Sequence, residues 1–330
     1  MDTEGGRAWT PLRGRLPRSD LERYLRTLAR RYHFLSLSEA VEILAGRREP
    51  VSHGLVITFD DGYRNNRTHA LPVLRRHAAP MTLFVPSGKV NERSLFAFDR
   101  LDYALQALRG EEVTLSAAGF PVYLRLRPRK ALAGSFARVR GLLKERLGAD
   151  VEYGREVTAL VAECEKLAGQ SLMALGESDD WSALLDWEEL RSLARESDVE
   201  IGSHTVLHTR LGLADAGTVR RELRESKDEI EMRAGVRCHH LAYPNGSWNA
   251  EVAQLTRDEG YRSAATTDEG VNPPGHDLMA LRRVGLPAGL DATELLARVS
   301  GLSEAIASLK ARATRLLPDR PPVIAARARG

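Results

Sequence analysis

Cysteine is almost absent. The 330 residues hold only Cys164 and Cys238, so no disulfide framework can staple the chain. Neither has a second cysteine at metal-ligand spacing, and both read as ordinary thiols of a reducing compartment. Aromatic residues are scarce at 6%, which leaves few platforms for stacking bases. A large excess of positive charge is missing too: Lys and Arg number 48 against 45 for Asp and Glu, a net charge of +3. That is well short of a nucleic-acid footprint and argues against a nucleic-acid partner. No run approaches the roughly 18 apolar residues of a membrane span. Residues 1 to 18 are polar, carry Gly5, Gly6, Pro11 and Pro17, and lack the apolar stretch of a signal peptide. As written, the chain is expected to be cytoplasmic. The alternative is a start further upstream that carries a leader or anchor.

What is present is an ordinary globular composition, 43% apolar and 28% charged, at a length suited to one large α/β domain or two small ones. Ser19 and Asp20 are placed to cap a helix with Leu21, Tyr24, Leu25 and Leu28 at helical spacing. The run Leu55-Val56-Ile57-Thr58-Phe59 reads as a buried strand ending in Asp60-Asp61-Gly62. A helix over 67–77 and a strand over 81–85 follow. Asp186 with Glu189 predicts a capping box for a helix to about Arg195. The pattern then gives strands at 199–202, 241–243 and 261–267, and helices at 216–234, closed by Gly235, and 250–259. This alternation predicts a parallel sheet, open or closed into a barrel, with its chemistry at the C-terminal ends of the strands.

One stretch breaks the rhythm. Residues 95–185 read as a mostly helical insertion, with Leu101, Ala104, Leu105 and Leu108 on one face and Leu142, Leu143 and Leu147 on another. The expected organisation is a flexible N-terminus at 1–18, a barrel over 19–300 that carries the insertion, and a C-terminal helix with a basic tail over 301–330. From Lys310 onward that tail has six basic residues and one acid, which reads as a solvated segment.

Three short segments lie just after predicted strands. Asp60 and Asp61 put two carboxylates side by side, which requires a cation or a cluster of donors nearby, although Asp-Asp-Gly by itself is an ordinary turn. Ser203-His204-Thr205-Val206-Leu207-His208 puts two imidazoles four residues apart, on one face if the segment turns helically. Two His and one Asp form a facial set of three that leaves positions open for water and substrate. Ala242-Tyr243-Pro244-Asn245-Gly246 by itself reads as a turn.

Taken in order, Thr-Phe-Asp-Asp-Gly, Ser-His-Thr-x-x-His and Tyr-Pro-x-Gly resemble the polysaccharide deacetylases of carbohydrate esterase family 4. The likeness that carries chemistry runs from about 53 to 287, and the run-in from Leu21 to Ala45 resembles helices that precede the first motif in that family. The resemblance implies a distorted (β/α) barrel of about seven strands and metal-dependent removal of acetyl groups from N-acetylated sugars. On the matching positions it implies Asp60 as general base and Asp61, His204 and His208 as ligands of one divalent ion, Zn first, with Co, Ni or Mn open. It places the backbone N–H of Asn245 at the oxyanion, with Tyr243 and Pro244 shaping that wall of the groove.

Two departures matter. Ala242 stands where many members carry an Arg that pairs with the base; Arg283 is the candidate to supply that charge from another direction, or else is an ordinary surface residue. The late Leu-x-His motif of the general acid is missing as well, and the one late histidine, His276, sits in a Pro/Gly loop. Three hypotheses follow. The first is a deacetylase in polysaccharide or glycoconjugate assembly, whose substrate is an N-acetylated carbohydrate or a lipid-linked sugar that would bring it to a membrane surface. The others are a carbohydrate-binding relative without turnover and a hydrolase of a small N-acyl or cyclic amide.

Overall fold

The computed structural model describes residues 11–12, 15–92, 95–108, 110–147, 150–169 and 182–302. The C-terminal helix and basic tail expected over 301–330 therefore lie almost wholly outside the described residues. Seven parallel strands carry the molecule: β1 (His33–Leu35), β2 (Gly54–Phe59), β3 (Met81–Val85), β6 (Val199–Ser203), β7 (His240–Ala242), β8 (Ser263–Glu269) and β9 (Leu281–Arg283), paired in that order. This is a distorted (β/α) barrel. Among the described residues no ladder joins β1 to β9, so the barrel has a seam there.

The strands form where the sequence is short, apolar and β-branched. All five residues of β3 are buried, because helices cover it outside and other strands' side chains fill the interior. Inside the barrel, Val56, Phe84, Ala242, Ala265 and Leu281 pack together, and Leu37 and Val41 of α2 (Leu37–Leu44) close the layer. Outside, α3 (Leu71–Arg76), α8 (Trp187–Leu193), α9 (Ala216–Ala234) and α10 (Ala250–Asp258) bury Val73, Leu74, Leu190, Leu223, Ile230 and Val252 against the sheet. Each such side chain contributes roughly 1.5–3 kcal/mol on burial. At the seam, Tyr24 and Leu28 of α1 (Arg18–Leu28) meet Leu295 and Val299 of α11 (Ala292–Val299).

The capping box at Asp186 and Glu189 forms with both hydrogen bonds, and α9 ends at Gly235 in the left-handed conformation, φ 75°. The cap expected for α1 does not form. Pro17 holds the capping position and Asp20 falls inside the first turn, where it accepts from Arg23 and from the Gly289 backbone N–H instead. The strand β1 also goes beyond the sequence reading: three half-exposed residues carry too little pattern to announce it.

The insertion differs from its expectation in one respect. α4 (Ser87–Glu92) leads into it, and α5 (Ala97–Ala107), α6 (Arg129–Arg146) and α7 (Asp150–Ala168) are helical as read, but an antiparallel hairpin of β4 (Glu112–Ala117) and β5 (Phe120–Arg125) lies among them. Its Leu115, Ala117, Val122 and Leu124 alternate inward and complete a hydrophobic core with Leu101, Leu105, Leu132, Phe136, Leu160 and Cys164, separate from the barrel's. Cys164 and Cys238 are both buried free thiols, and burial pushes each up to about 12, so neither is a nucleophile at neutral pH. Among the described residues no helix is long and apolar enough to cross a membrane.

Candidate active site

The seven parallel strands end at one rim, and the three motifs follow β2, β6 and β7 there. After β2 the chain turns sharply: Asp61 and Gly62 both take left-handed backbone, φ 73° and 68°. A Cβ on Gly62 would lie 3.1 Å from Val85 Cγ1, so glycine suits both the turn and the close approach to β3. The turn is braced from the far end of the insertion. Arg64 N donates to Ala183 O and Leu185 N donates to Gly62 O, at 2.8 and 2.9 Å.

The histidine segment is a loop, which corrects the helical turn considered from its spacing. Thr205 and His208 both have positive φ, 66° and 63°, so two left-handed residues, rather than a helical repeat, bring the imidazoles together. Their ring centroids are 4.9 Å apart. The loop is held on three sides. His204 N donates to Val85 O, Glu222 of α9 accepts from the Val206 and Leu207 N–H groups, and Thr205 N donates to Ser203 Oγ.

Asp61, His204 and His208 thus gather into one cluster whose donor atoms all lie within 4.8 Å of one another. The nearest separations are 3.6 Å from His204 Nε2 to Asp61 Oδ1 and 3.4 Å from His208 Nε2 to the same oxygen. These exceed hydrogen-bond length and are close to the edge, about 3.3 Å, of a tetrahedron with bonds of about 2.0–2.1 Å. His204 Nδ1 lies 2.7 Å from Ala242 O, and a carbonyl only accepts. Nδ1 therefore carries the proton and Nε2 presents its lone pair to the cluster. Burial lowers the His204 pKa more than the neighbouring Asp60 charge raises it, which keeps the ring neutral. The donor set therefore fits a divalent ion.

Asp60 has a different partner. Arg283, at the end of β9, makes a two-pronged ion pair with it, Nη1 to Oδ1 at 2.7 Å and Nη2 to Oδ2 at 2.9 Å. The same guanidinium donates to Thr266 O and Thr58 Oγ1, which fixes its plane. Of the two readings of Arg283, the structure selects the partner of Asp60 over the ordinary surface residue. Burial by itself pushes the Asp60 carboxyl up, but the charge and hydrogen bonds of Arg283 offset it and hold the group below the ordinary carboxylate range.

The third motif forms a tight turn after β7, with Asn245 at φ 55° and Gly246 at φ 64°. Tyr243 is fully buried, donates to Met279 O and stacks on Trp248. Pro244 is buried too. Tyr243 therefore has no exposed surface to offer a ligand. His276 Nε2 is engaged with Ala280 O at 2.9 Å.

Sequence reasoning missed the insertion's share of this rim. Phe96 meets the His208 ring edge-on at 5.4 Å and stacks on Phe98, and Tyr63 donates to the buried Asp99 at 2.5 Å. Lys144 of α6 donates to Asn245 Oδ1 at 3.0 Å. Nothing local in the sequence marks these contacts.

A sequence model of the family described as "Polysaccharide deacetylase" matches residues 47–264, well over half of the chain. The YxkH protein of Bacillus subtilis (strain 168) is 18% identical over 289 residues, which is 87% of this chain and 71% of that protein. Among solved structures, the Streptococcus pyogenes deacetylase PplD in complex with acetate aligns at 17% identity with a TM-score of 0.57, covering 87% of this chain and 89% of that one. The deacetylase domain of BpsB from Bordetella bronchiseptica aligns at 18% identity with a TM-score of 0.51, with the same coverage. At these identities the structural likeness establishes the shared fold.

Proposed function

Because the chain belongs to the polysaccharide deacetylase family, we propose that it is a metal-dependent hydrolase that removes acetyl groups from an N-acetylated sugar in polysaccharide or glycoconjugate assembly. The observation that carries this reading is the pairing at one rim of two separate devices: the Asp61, His204 and His208 cluster, and the Asp60 carboxylate held by Arg283. Adjacent carboxylates with unlike partners can take unlike roles.

When bound by Asp61, His204 and His208, a divalent ion, Zn first among candidates, supplies Lewis acidity toward the amide carbonyl and makes water more acidic. Asp60, kept ionised by Arg283, takes the proton of the attacking water as its oxygen bonds to the acetyl carbon. The Asn245 backbone N–H donates to the negative charge that develops on the carbonyl oxygen. Tyr243 and Pro244 hold the Asn245 turn at that position. As the carbon–nitrogen bond breaks, Asp60 returns its proton to the departing amine, which leaves acetate and the free amino sugar. This route does without the family's late histidine.

The test is acetate release from N-acetylglucosamine oligomers by protein with one equivalent of Zn, beside chelator-treated protein and His204→Ala. The expected outcome is release by the loaded protein only, with bound Zn near one per chain and lost in His204→Ala. Tight Zn binding with no acetate from any oligomer would favour the carbohydrate-binding relative, and release from small N-acyl amides alone would favour the third reading.

A further inference from the structure

Helix α6 holds six basic residues, Arg129, Lys130, Arg138, Arg140, Lys144 and Arg146, against the single acid Glu145, more positive charge than the net +3 of the whole chain. Two of them, Arg140 and Lys144, are one turn apart and so share a face. That face meets the candidate site. The Arg140 guanidinium lies 5.5 Å from the Phe98 ring centroid. Phe98 stacks on Phe96 at 5.1 Å, and Phe96 meets the His208 ring at 5.4 Å. Lys144 Nζ reaches Asn245 Oδ1 at 3.0 Å, on the turn proposed to receive the oxyanion. Arg210, two residues beyond His208, donates to Leu147 O at 3.3 Å and ties the end of α6 to the same loop.

The geometry points to Arg140 and Lys144 as a specificity-determining pair that binds an anionic group of the substrate beside the N-acetylated sugar. This rests on the deacetylase reading and adds the chemistry of the neighbouring unit. Arg140 is half-buried and packed between the Phe98 and Phe136 rings, so its planar fork is held in place before a ligand arrives. Lys144 is exposed, and its bond to a neutral amide oxygen exchanges readily for a stronger, charge-assisted bond to a carboxylate or phosphate oxygen. The shared chemistry is an oxyanion. It comes either from a uronic acid residue in a glycan or from the diphosphate of an activated sugar.

The experiment measures equilibrium binding to the full-length Asp60→Asn chain, so that no probe is consumed. Three probes are compared: a neutral N-acetylglucosamine tetramer, a tetrasaccharide that alternates N-acetylglucosamine with glucuronic acid, and uridine diphosphate N-acetylglucosamine. One anionic probe is expected to bind on the order of ten-fold more tightly than the neutral tetramer, less so as salt rises; which one it is identifies the carboxylate or the diphosphate. Lys144→Glu should remove part of that preference and Arg140→Glu with Lys144→Glu nearly all of it, while Lys144→Arg keeps it. Arg237→Glu, ahead of β7 at the opposite end of the barrel, should leave it intact. Equal affinity for all three probes, a preference that survives the double reversal, or one erased equally by Arg237→Glu would overturn the proposal. Acetate release by the unsubstituted chain is assayed on the same probes. Its absence would sink the deacetylase reading, and the affinity ratios would still decide the role of the cations.

Discussion

Asp60 and Asp61 are neighbours in sequence with different environments: one faces Arg283, the other two imidazoles. Asp60→Asn keeps the shape and removes proton acceptance. Turnover should fall on the order of 10²- to 10⁴-fold, the usual worth of a positioned base, with Zn content unchanged. A near-normal rate at full metal content would mean that Asp60 only shapes the turn. Arg283→Met tests the other half of the pair. Without the guanidinium, the burial that already pushes Asp60 up goes uncompensated and its pKa rises. Because the base acts in its ionised form, the acid limb of the pH–kcat/KM profile should move to higher pH. An acid limb that does not move would separate Asp60 from that titration.

At the scale of single elements, β6 is closely packed at Gly202. A Cβ on Gly202 would lie 2.6 Å from Phe84 Cδ1 and 2.9 Å from His240 O, both in the packed interior. Gly202→Ala should therefore cost roughly 1–3 kcal/mol in urea unfolding. It should also weaken Zn binding, because β6 leads directly into His204. His240, at the start of β7, is buried between Ser38 Oγ and Ser263 Oγ, at 3.0 and 2.9 Å. Burial lowers its pKa to about 4 against an ordinary value of 6.5. Between those values the unfolded chain binds the proton first, so His240 takes stability away as pH falls from about 6.5 to 4 and has no such effect above that window. Relative to the unsubstituted chain, His240→Gln should flatten the loss of urea stability on acidification by roughly 3 kcal/mol. Parallel curves for the two proteins would show that His240 does not titrate in that window.

At the scale of the whole molecule, the described residues of the insertion build a hydrophobic core of their own, separate from those of the barrel. Replacing residues 97–181 with a short linker should leave a folded, Zn-binding barrel, checked by thermal unfolding and metal content. It should also lower activity on oligomers at least ten-fold, because Phe98, Arg140 and Lys144 leave with the insertion. Loss of cooperative unfolding in the shortened chain would instead make the insertion part of the barrel's own stability.

Local pattern determined much of this protein. The β3 run 81–85, the Asp186 capping box and the Gly235 stop to α9 were legible because each is settled by residues within a few positions of one another. The identities of Asp61, His204 and His208 were also in the sequence, through motifs whose order matches a family. Their convergence was implied by that resemblance, but not the way it is reached, since it comes from two positive-φ residues in a loop held by Glu222 and Val85 rather than from helical spacing. The same limit hid the hairpin β4–β5, whose short alternation sits among strong helix patterns, and left β1 unread. Most of all, only the tertiary structure decided that Arg283 meets Asp60 across 223 residues, and that Lys144 reaches Asn245 across 101. Such contacts depend on how far the sheet curls and where an inserted core docks, and both are set by packing summed over the whole chain.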